Sequence, residues 1–229
     1  MPLLSIDSSN GYSNVLITDD NSGKIYESVS DFHEKHSVLI FRQLDEAMRK
    51  TDIKLKDLTG IAVILGPGSY TGIRVSLTIA KTLSYVLGIN IAGIGSLFAC
   101  AYSLAKNGEN YEYIIAAKKG IKDNYYVSEY TVENGNIIPH LKADLLNLNE
   151  IKSLAGDMPK KPALVYGYNK MDDYDNFKAE FESAYPLTPF DLKETTRFAS
   201  IYAAENKADK GLKYTEELSP YYVYGAGPF

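Results

Sequence analysis

The sequence predicts a duplicated α/β architecture with two lobes. Two observations carry this expectation. The order of three antiparallel strands, a helix, a buried parallel strand and a helix occurs twice along the 229 residues. With 45% hydrophobic residues, the chain is also long enough to bury a full core in one large domain or two small lobes. The two halves share no obvious residue pattern, so the repeat is one of element order. The cleft between them would be the natural ligand site. The expected lobes are residues 1–105 and 106–229, with Lys106-Asn107-Gly108-Glu109-Asn110 as the hinge and the C-terminal helix able to pack back on the first lobe.

The first half opens with three short strands. Leu3 to Asp7 is apolar and ends on a carboxylate, and Asn14 to Thr18 and Lys24 to Ser30 follow. The connections Ser8-Ser9-Asn10-Gly11 and Asp19-Asp20-Asn21-Ser22-Gly23 are rich in turn formers and favour tight antiparallel pairing. A helix is expected over His36 to Arg49, where Val38, Phe41, Leu44 and Met48 recur at helical spacing and would face the core. Ile61-Ala62-Val63-Ile64-Leu65 is a buried-strand run ended by Gly66-Pro67-Gly68. The next helix runs from Gly72 to Leu87, with Ile73, Leu77, Ala80, Val86 and Leu87 on its apolar face. A strand at Ile89 to Ile94 and the start of a further helix close this half.

In the second half, Tyr113 to Ala117, Tyr125 to Tyr130 and Asn136 to Pro139 read as strands, followed by a weak helix at Leu148 to Ala155. Ala163-Leu164-Val165-Tyr166 is a buried strand, and helices are expected at Tyr174 to Ser183 and Thr195 to Lys210.

Charge and composition exclude several classes. A net charge of −5 argues against a protein that coats nucleic acid, because affinity for a phosphate backbone needs surplus Lys and Arg. The single Cys100 excludes a disulfide framework, a cysteine-based zinc site and a CxxC redox pair. The start, Met1-Pro2-Leu3-Leu4-Ser5-Ile6-Asp7, lacks a basic region and a cleavage site, so a cytoplasmic protein is expected. The uncharged run from Thr82 to Ala105 is long enough to span a bilayer, but Gly88, Asn90, Gly93 and Gly95 break it into helix, strand and helix.

The segment Gly66-Pro67-Gly68-Ser69-Tyr70-Thr71-Gly72-Ile73-Arg74 is the most informative for chemistry. It joins a buried strand to a helix N-terminus, where free N–H groups and the helix dipole would attract an anion. Three glycines would let a backbone come close. It is not a Walker A loop, because the Gly-Lys-Ser/Thr ending is missing. The alternative is structural: Ser69 or Thr71 caps the helix and the glycines serve the turn. Asp7-Ser8-Ser9-Asn10-Gly11 could hold a phosphate or hydrated Mg²⁺, or could be a turn bonding its own backbone. His33 and His36 sit about a helical turn apart with no obvious third ligand, His140 has no visible partner, and Cys100 reads as an inert buried thiol. No Ser-His-Asp or Cys-His arrangement can be read, so no catalytic or metal-binding residue is assigned. The 19 tyrosines show no spacing of an RNA-recognition module.

The stretch from Gly60 to Leu97, centred on Gly66 to Arg74 and continuing through Ala80-Lys81, Gly88-Ile89 and Ser96-Leu97, resembles the bacterial TsaB (formerly YeaZ) proteins. Leu4-Ser5-Ile6-Asp7-Ser8-Ser9, His36-Ser37 and Ser219-Pro220-Tyr221-Tyr222 agree with it. The resemblance covers the first hundred residues well and the rest loosely. It implies the duplicated actin-like ATPase fold of the sugar-kinase, Hsp70 and actin superfamily (ASKHA, ribonuclease H-like). It also implies an accessory subunit of the machinery that makes N6-threonylcarbamoyladenosine (t6A) at position 37 of bacterial tRNA. Such subunits pair with the threonylcarbamoyl-transferase TsaD, and the ATPase TsaE binds the pair. Contact with tRNA would come only through the complex, no membrane is involved, and a homodimer forms when TsaD is absent. No cofactor is assigned to the chain; ATP or ADP with Mg²⁺ is a candidate at the interface of the pair, and Asp7, Ser8 and Ser9 are the nucleotide-site candidates of this chain. It places the partner surface on the first-lobe helices at His36, Gly72, Arg74, Ser76 and Ala80, whose small residues at four-residue spacing would allow close helix approach.

Working enzymes of that superfamily need acidic and glycine-rich phosphate loops in both halves and a Gly-Gly adenosine loop. Here the second hairpin reads Ala117-Lys118-Lys119-Gly120-Ile121-Lys122 and the adenosine loop Gly167-Tyr168-Asn169. Many relatives carry Asp-Ala-Arg where this chain has Ala116-Ala117-Lys118. The histidine pair that binds metal in TsaD is absent as a motif. A subunit without catalysis is therefore expected. The alternatives are an active small-molecule kinase of the same superfamily and an M22-type glycoprotease, an older label for the family. Lys118, Lys119 and Lys122 remain candidates for a phosphate contact.

Overall fold

The computed structural model describes residues 1–31, 36–134, 136–139, 143–205 and 219–220. The chain divides into two compact units. One holds Met1–Ser96 and the segment from Lys193, and the other spans Leu97–Leu192.

The first unit is built on a five-stranded sheet. Its strands are β1 (Pro2–Asp7), β2 (Tyr12–Asp19), β3 (Lys24–Asp31), β4 (Gly60–Gly66) and β5 (Asn90–Gly95), in the order β3-β2-β1-β4-β5. β1 to β3 are antiparallel neighbours, with Leu4 opposite Ile17 and Ile6 opposite Val15. β4 and β5 join in parallel beyond β1. Alternation along β1 and β2 sends Leu4, Ile6, Val15 and Ile17 into one apolar cluster. Helices α1 (His36–Thr51) and α2 (Tyr70–Leu87) close it with Ile40, Leu44, Ala47, Leu77 and Ala80. Each buried Leu, Ile or Val of this cluster contributes about 1.5–3 kcal/mol. Gly88 ends α2 in the left-handed region at φ 66°, where a residue without Cβ fits at no cost.

The second unit repeats that topology. Helix α3 (Ser96–Lys106) leads into β6 (Tyr113–Lys119), β7 (Tyr125–Glu133) and β8 (Asn136–Pro139). A short β9 (Asp144–Leu146), α4 (Leu148–Asp157), β10 (Ala163–Tyr168), α5 (Met171–Phe181) and β11 (Leu187–Asp191) follow. The sheet order is β11-β10-β6-β7-β8, with β9 also on β7. β6, β7 and β8 are antiparallel, while β10 and β11 add in parallel. Read from its hairpin side, this is the strand order of the first unit, so the element repeat is a duplication of one strand order. Tyr125, Tyr166, Tyr168, Tyr174 and Tyr185 pack in this core. Tyr166 stacks on Phe177 at 4.5 Å between ring centroids, and Phe177 stacks on Phe181 at 4.4 Å. Asn147 caps α4 by accepting from the N–H groups of Asn149 and Glu150, and the Glu150 carboxylate returns the bond to Asn147 N at 2.8 Å.

The last helix, α6 (Thr195–Glu205), lies on the first sheet against β1, β4 and β2. Residues 206–210 of the expected helix lie outside the described residues.

Several expectations need correction. The boundary between units falls before α3, not after Ala105. The reason is packing: Phe98 meets Tyr130 edge-on at 6.1 Å, and Cys100 Sγ lies against the backbone of Gly167. The strands β9 and β11 were not legible, since β9 has three residues and Pro189 interrupts β11. Pro189 is tolerated because β11 is an edge strand. On α1, Val38 and Phe41 do not face the core, and on α2 neither does Val86.

Candidate functional site

The first candidate is where β1 runs into the β1–β2 turn beside the N-terminus of α2. Asp7, Ser8 and Ser9 are all buried. The Asp7 carboxylate accepts from Ser9 N at 2.7 Å and from Thr195 Oγ1 of α6 at 2.6 Å, with Asn10 Nδ2 farther away at 3.4 Å. Its lone pairs are thus engaged by the chain itself.

The glycine-rich segment is closed in the same way. Ser69 N donates to the Ser9 carbonyl at 2.6 Å, and Ser8 Oγ donates to the Gly72 carbonyl at 2.6 Å. Ser69 caps α2 by accepting from Gly72 N at 3.2 Å. A Cβ at Gly68 would lie 2.0 Å from the Ser9 carbonyl oxygen, and one at Gly72 would lie 1.7 Å from that of Ser8. Gly68 and Gly72 are therefore glycine because the β1–β2 turn is packed onto them. Ser69 caps the helix and the glycines admit the β1–β2 turn, as the structural alternative for the motif has it.

The proposed small-residue stripe is also corrected. Gly72, Ser76 and Ala80 are buried within the unit, and Ala80 belongs to the core cluster beneath the sheet. Ser76 Oγ donates within the helix to the Gly72 and Ile73 carbonyls. Close helix approach is thus used inward, between α2 and its own β1–β2 turn. Arg74 does lie on the exposed side, with its guanidinium 4.2 Å over the Tyr70 ring. The side chain of His36 lies outside the described residues, as do His33, His140 and the Gly225–Phe229 tail.

What the sequence reading missed is the outer face of α1 and α2. Val38 (55%), Phe41 (56%), Tyr85 (83%) and Val86 (71%) are exposed there. Phe41 of α1 and Arg74, Val75, Thr78, Ile79, Thr82 and Leu83 of α2 line an open, almost wholly apolar groove of about 370 Å³. The signal was present: Val38-Leu39-Ile40-Phe41 is four apolar residues in a row, more than one core-facing stripe of a helix can use.

In the second unit, Lys118 is buried, which withdraws it as a surface phosphate contact. Lys119 and Lys122 are exposed, with Lys119 Nζ 4.8 Å over the Tyr125 ring. Gly120 serves packing, since a Cβ there would meet Leu145 and the Asn124 carbonyl. Gly167 is a residue of β10, with Leu192 and Cys100 against it. Complete burial pushes the Cys100 thiol up to about 12. The native protein should therefore resist a thiol reagent at pH 8, where roughly one thiol in ten thousand is ionised, and react fully once unfolded. Because the folded value is the raised one, this thiol's contribution to stability is complete below pH 9 and is lost as pH rises towards 12. Rapid labelling of the native protein would contradict the burial. Among the described residues, no group of three or more His, Cys, Asp or Glu could hold a metal, and no helix is long and apolar enough to cross a membrane.

A family model described as "TsaD: tRNA N6-adenosine threonylcarbamoyltransferase" matches residues 29–190, well over half of the chain. The chain belongs to the TsaD family. A tRNA threonylcarbamoyladenosine biosynthesis protein TsaB of Bacillus subtilis is 32% identical over 59% of this chain and 57% of its own length. The TsaB of Buchnera aphidicola subsp. Schizaphis graminum is 28% identical over 85% of this chain and 95% of its own. A Pseudomonas aeruginosa crystal structure, described as an uncharacterized protein with similarity to peptidase YEAZ, has the same fold. Its TM-score is 0.73 at 17% identity, over 97% of this chain and 99% of that one. With the duplicated strand order, this gives the chain the two-sheet α/β fold of that structure.

Proposed function

We propose that this TsaB-family chain is an accessory subunit of the bacterial complex that forms t6A at position 37 of tRNA. It pairs with a TsaD-type transferase through the outer face of α1 and α2 and performs no chemistry itself. The exposed apolar groove between these helices carries the reading. Phe41 and Val86 keep large apolar surface in water, and such a patch favours a protein partner. Without TsaD the same face pairs two copies of this chain, because a self-complementary patch closes a two-fold dimer. TsaE and tRNA meet the pair rather than this subunit alone. ATP or ADP with Mg²⁺, where it binds, belongs to the interface of the pair.

The non-catalytic part of the reading is supported by the engagement of Asp7 within its own chain. A kinase would need that carboxylate and a glycine-rich second loop facing a nucleotide. Gly120 and Gly167 are instead spent on packing. The test is sedimentation of this chain with a TsaD-type transferase from the same source, alongside an ATP-turnover assay of the chain alone. A heterodimer formed at the expense of the homodimer, with no turnover, is expected. Turnover by the isolated chain, or no heterodimer at micromolar concentrations, would overturn the reading.

A further inference from the structure

The two faces of the first sheet are covered by unlike material. α1 and α2 present Ile40, Leu44, Leu77 and other large aliphatic side chains. On the other face, the buried residues of α6 are Thr195, Thr196, Ala199, Ser200 and Ala203, none larger than threonine. Part of its attachment is polar. Thr195 Oγ1 donates to Asp7, Thr18 and Ser200 share a hydroxyl bond at 2.9 Å, and Asn14 Nδ2 donates to the Lys193 carbonyl at 2.8 Å. Arg197 reaches Glu27 at 3.3 Å across the exposed rim.

This layer is incompletely satisfied. Among the described residues, Ser5 Oγ and Asn14 Oδ1 in the sheet and Thr196 Oγ1 in α6 are buried with no hydrogen-bond partner from the protein. Burying such atoms opposes docking, and water restores their bonds when the helix leaves. Of these hydrogen bonds only the one to the Asp7 carboxylate adds more than about 1 kcal/mol net, and the fully buried side chains of α6 are two alanines and three short hydroxyl residues, with Phe198 and Tyr202 half-buried beside them. The same helix also holds the Asp7 carboxylate, so its departure would present that buried group to solvent.

We infer that α6 is a strap that undocks from the first sheet as a unit while α1, α2 and the sheet stay folded, exposing Asp7 and the Ser5–Asn14 face. The inference is independent of the t6A reading, since it rests only on contacts within the first unit. A local opening of this kind has its own free energy, below that of global unfolding.

Hydrogen exchange of the full chain, read by mass spectrometry on peptides of α6 and α2, tests it. The amides of Ser200 to Glu205 are expected to exchange at least about 100-fold faster than those of Ile79 to Leu83, with little dependence on low urea. Asp7→Ala should speed α6 at least about tenfold and leave α2 unchanged. Thr196→Val, which removes an unpartnered hydroxyl while keeping the shape, should slow α6. Equal rates and equal urea dependence in the two helices would overturn the inference. So would a Thr196→Val protein whose α6 exchanges faster. An Asp7→Ala protein that speeds both helices alike would also refute it, because opening would then be global.

Discussion

Gly72→Ala is expected to destabilise the protein by about 3 kcal/mol, at or beyond the upper end of what overpacking usually costs. Its Cβ would stand 1.7 Å from the Ser8 carbonyl oxygen, which is backbone and bonded into the β1–β2 turn. Relief would require the turn to lift from α2, breaking the Ser69 N to Ser9 carbonyl bond and loosening Asp7. Gly68→Ala should cost a similar amount, since the Ser9 carbonyl lies 2.0 Å from its Cβ. Gly156→Ala is the control. It sits on the exposed side of α4 with nothing within 4 Å of its Cβ, so it should be neutral or stabilising by up to about 1 kcal/mol. Urea unfolding of the three variants decides the matter. A Gly72→Ala protein as stable as the parent would mean that the turn does not rest on α2.

Phe41→Asp and Val86→Asp should each weaken pairing with the TsaD-type partner about 30-fold or more, near 2 kcal/mol, without harming the fold. Both side chains are more than half exposed, so a charge there costs the isolated chain little. At an apolar interface the same charge would be buried without a counter-ion. Ser76→Arg and Ala80→Arg should behave in the opposite way. Both positions are fully buried, so a long cation would be driven into the core and the protein would unfold. Sedimentation and thermal melts of the four variants separate surface from core. Unchanged pairing by both Phe41→Asp and Val86→Asp would remove the proposed face.

The fold was legible because it is written in periodicity. Each half carries alternating strands with turn formers between them, and buried runs such as Ile61 to Leu65 can only be central strands. The duplication survives in strand order although the halves share no motif. What escaped were pieces with too little sequence to announce themselves: three residues in β9, and an edge strand interrupted by Pro189.

The site was less legible for a physical reason. Gly72, Ser76 and Ala80 mark close approach, and a sequence cannot say what approaches. At Gly72 the answer was the chain's own Ser8 carbonyl, and at Ala80 the core of the unit, rather than a partner helix. In the same way Asp7 reads as a ligand for Mg²⁺ until Thr195, 188 positions away, is found to occupy it. The helical period placed Phe41 with the core because two apolar faces on one helix blur into one broad stripe. Only the fold distinguishes the stripe that packs inward from the one left for a partner.

The central claim is that this chain assists a transferase without doing the chemistry. Modified adenosine should be scored in unmodified tRNA given a TsaD-type transferase, TsaE and threonylcarbamoyl-AMP, with and without this chain. The account predicts product that depends on this chain and falls with Phe41→Asp, while the chain alone turns over no ATP. Product formed equally well in its absence would contradict it.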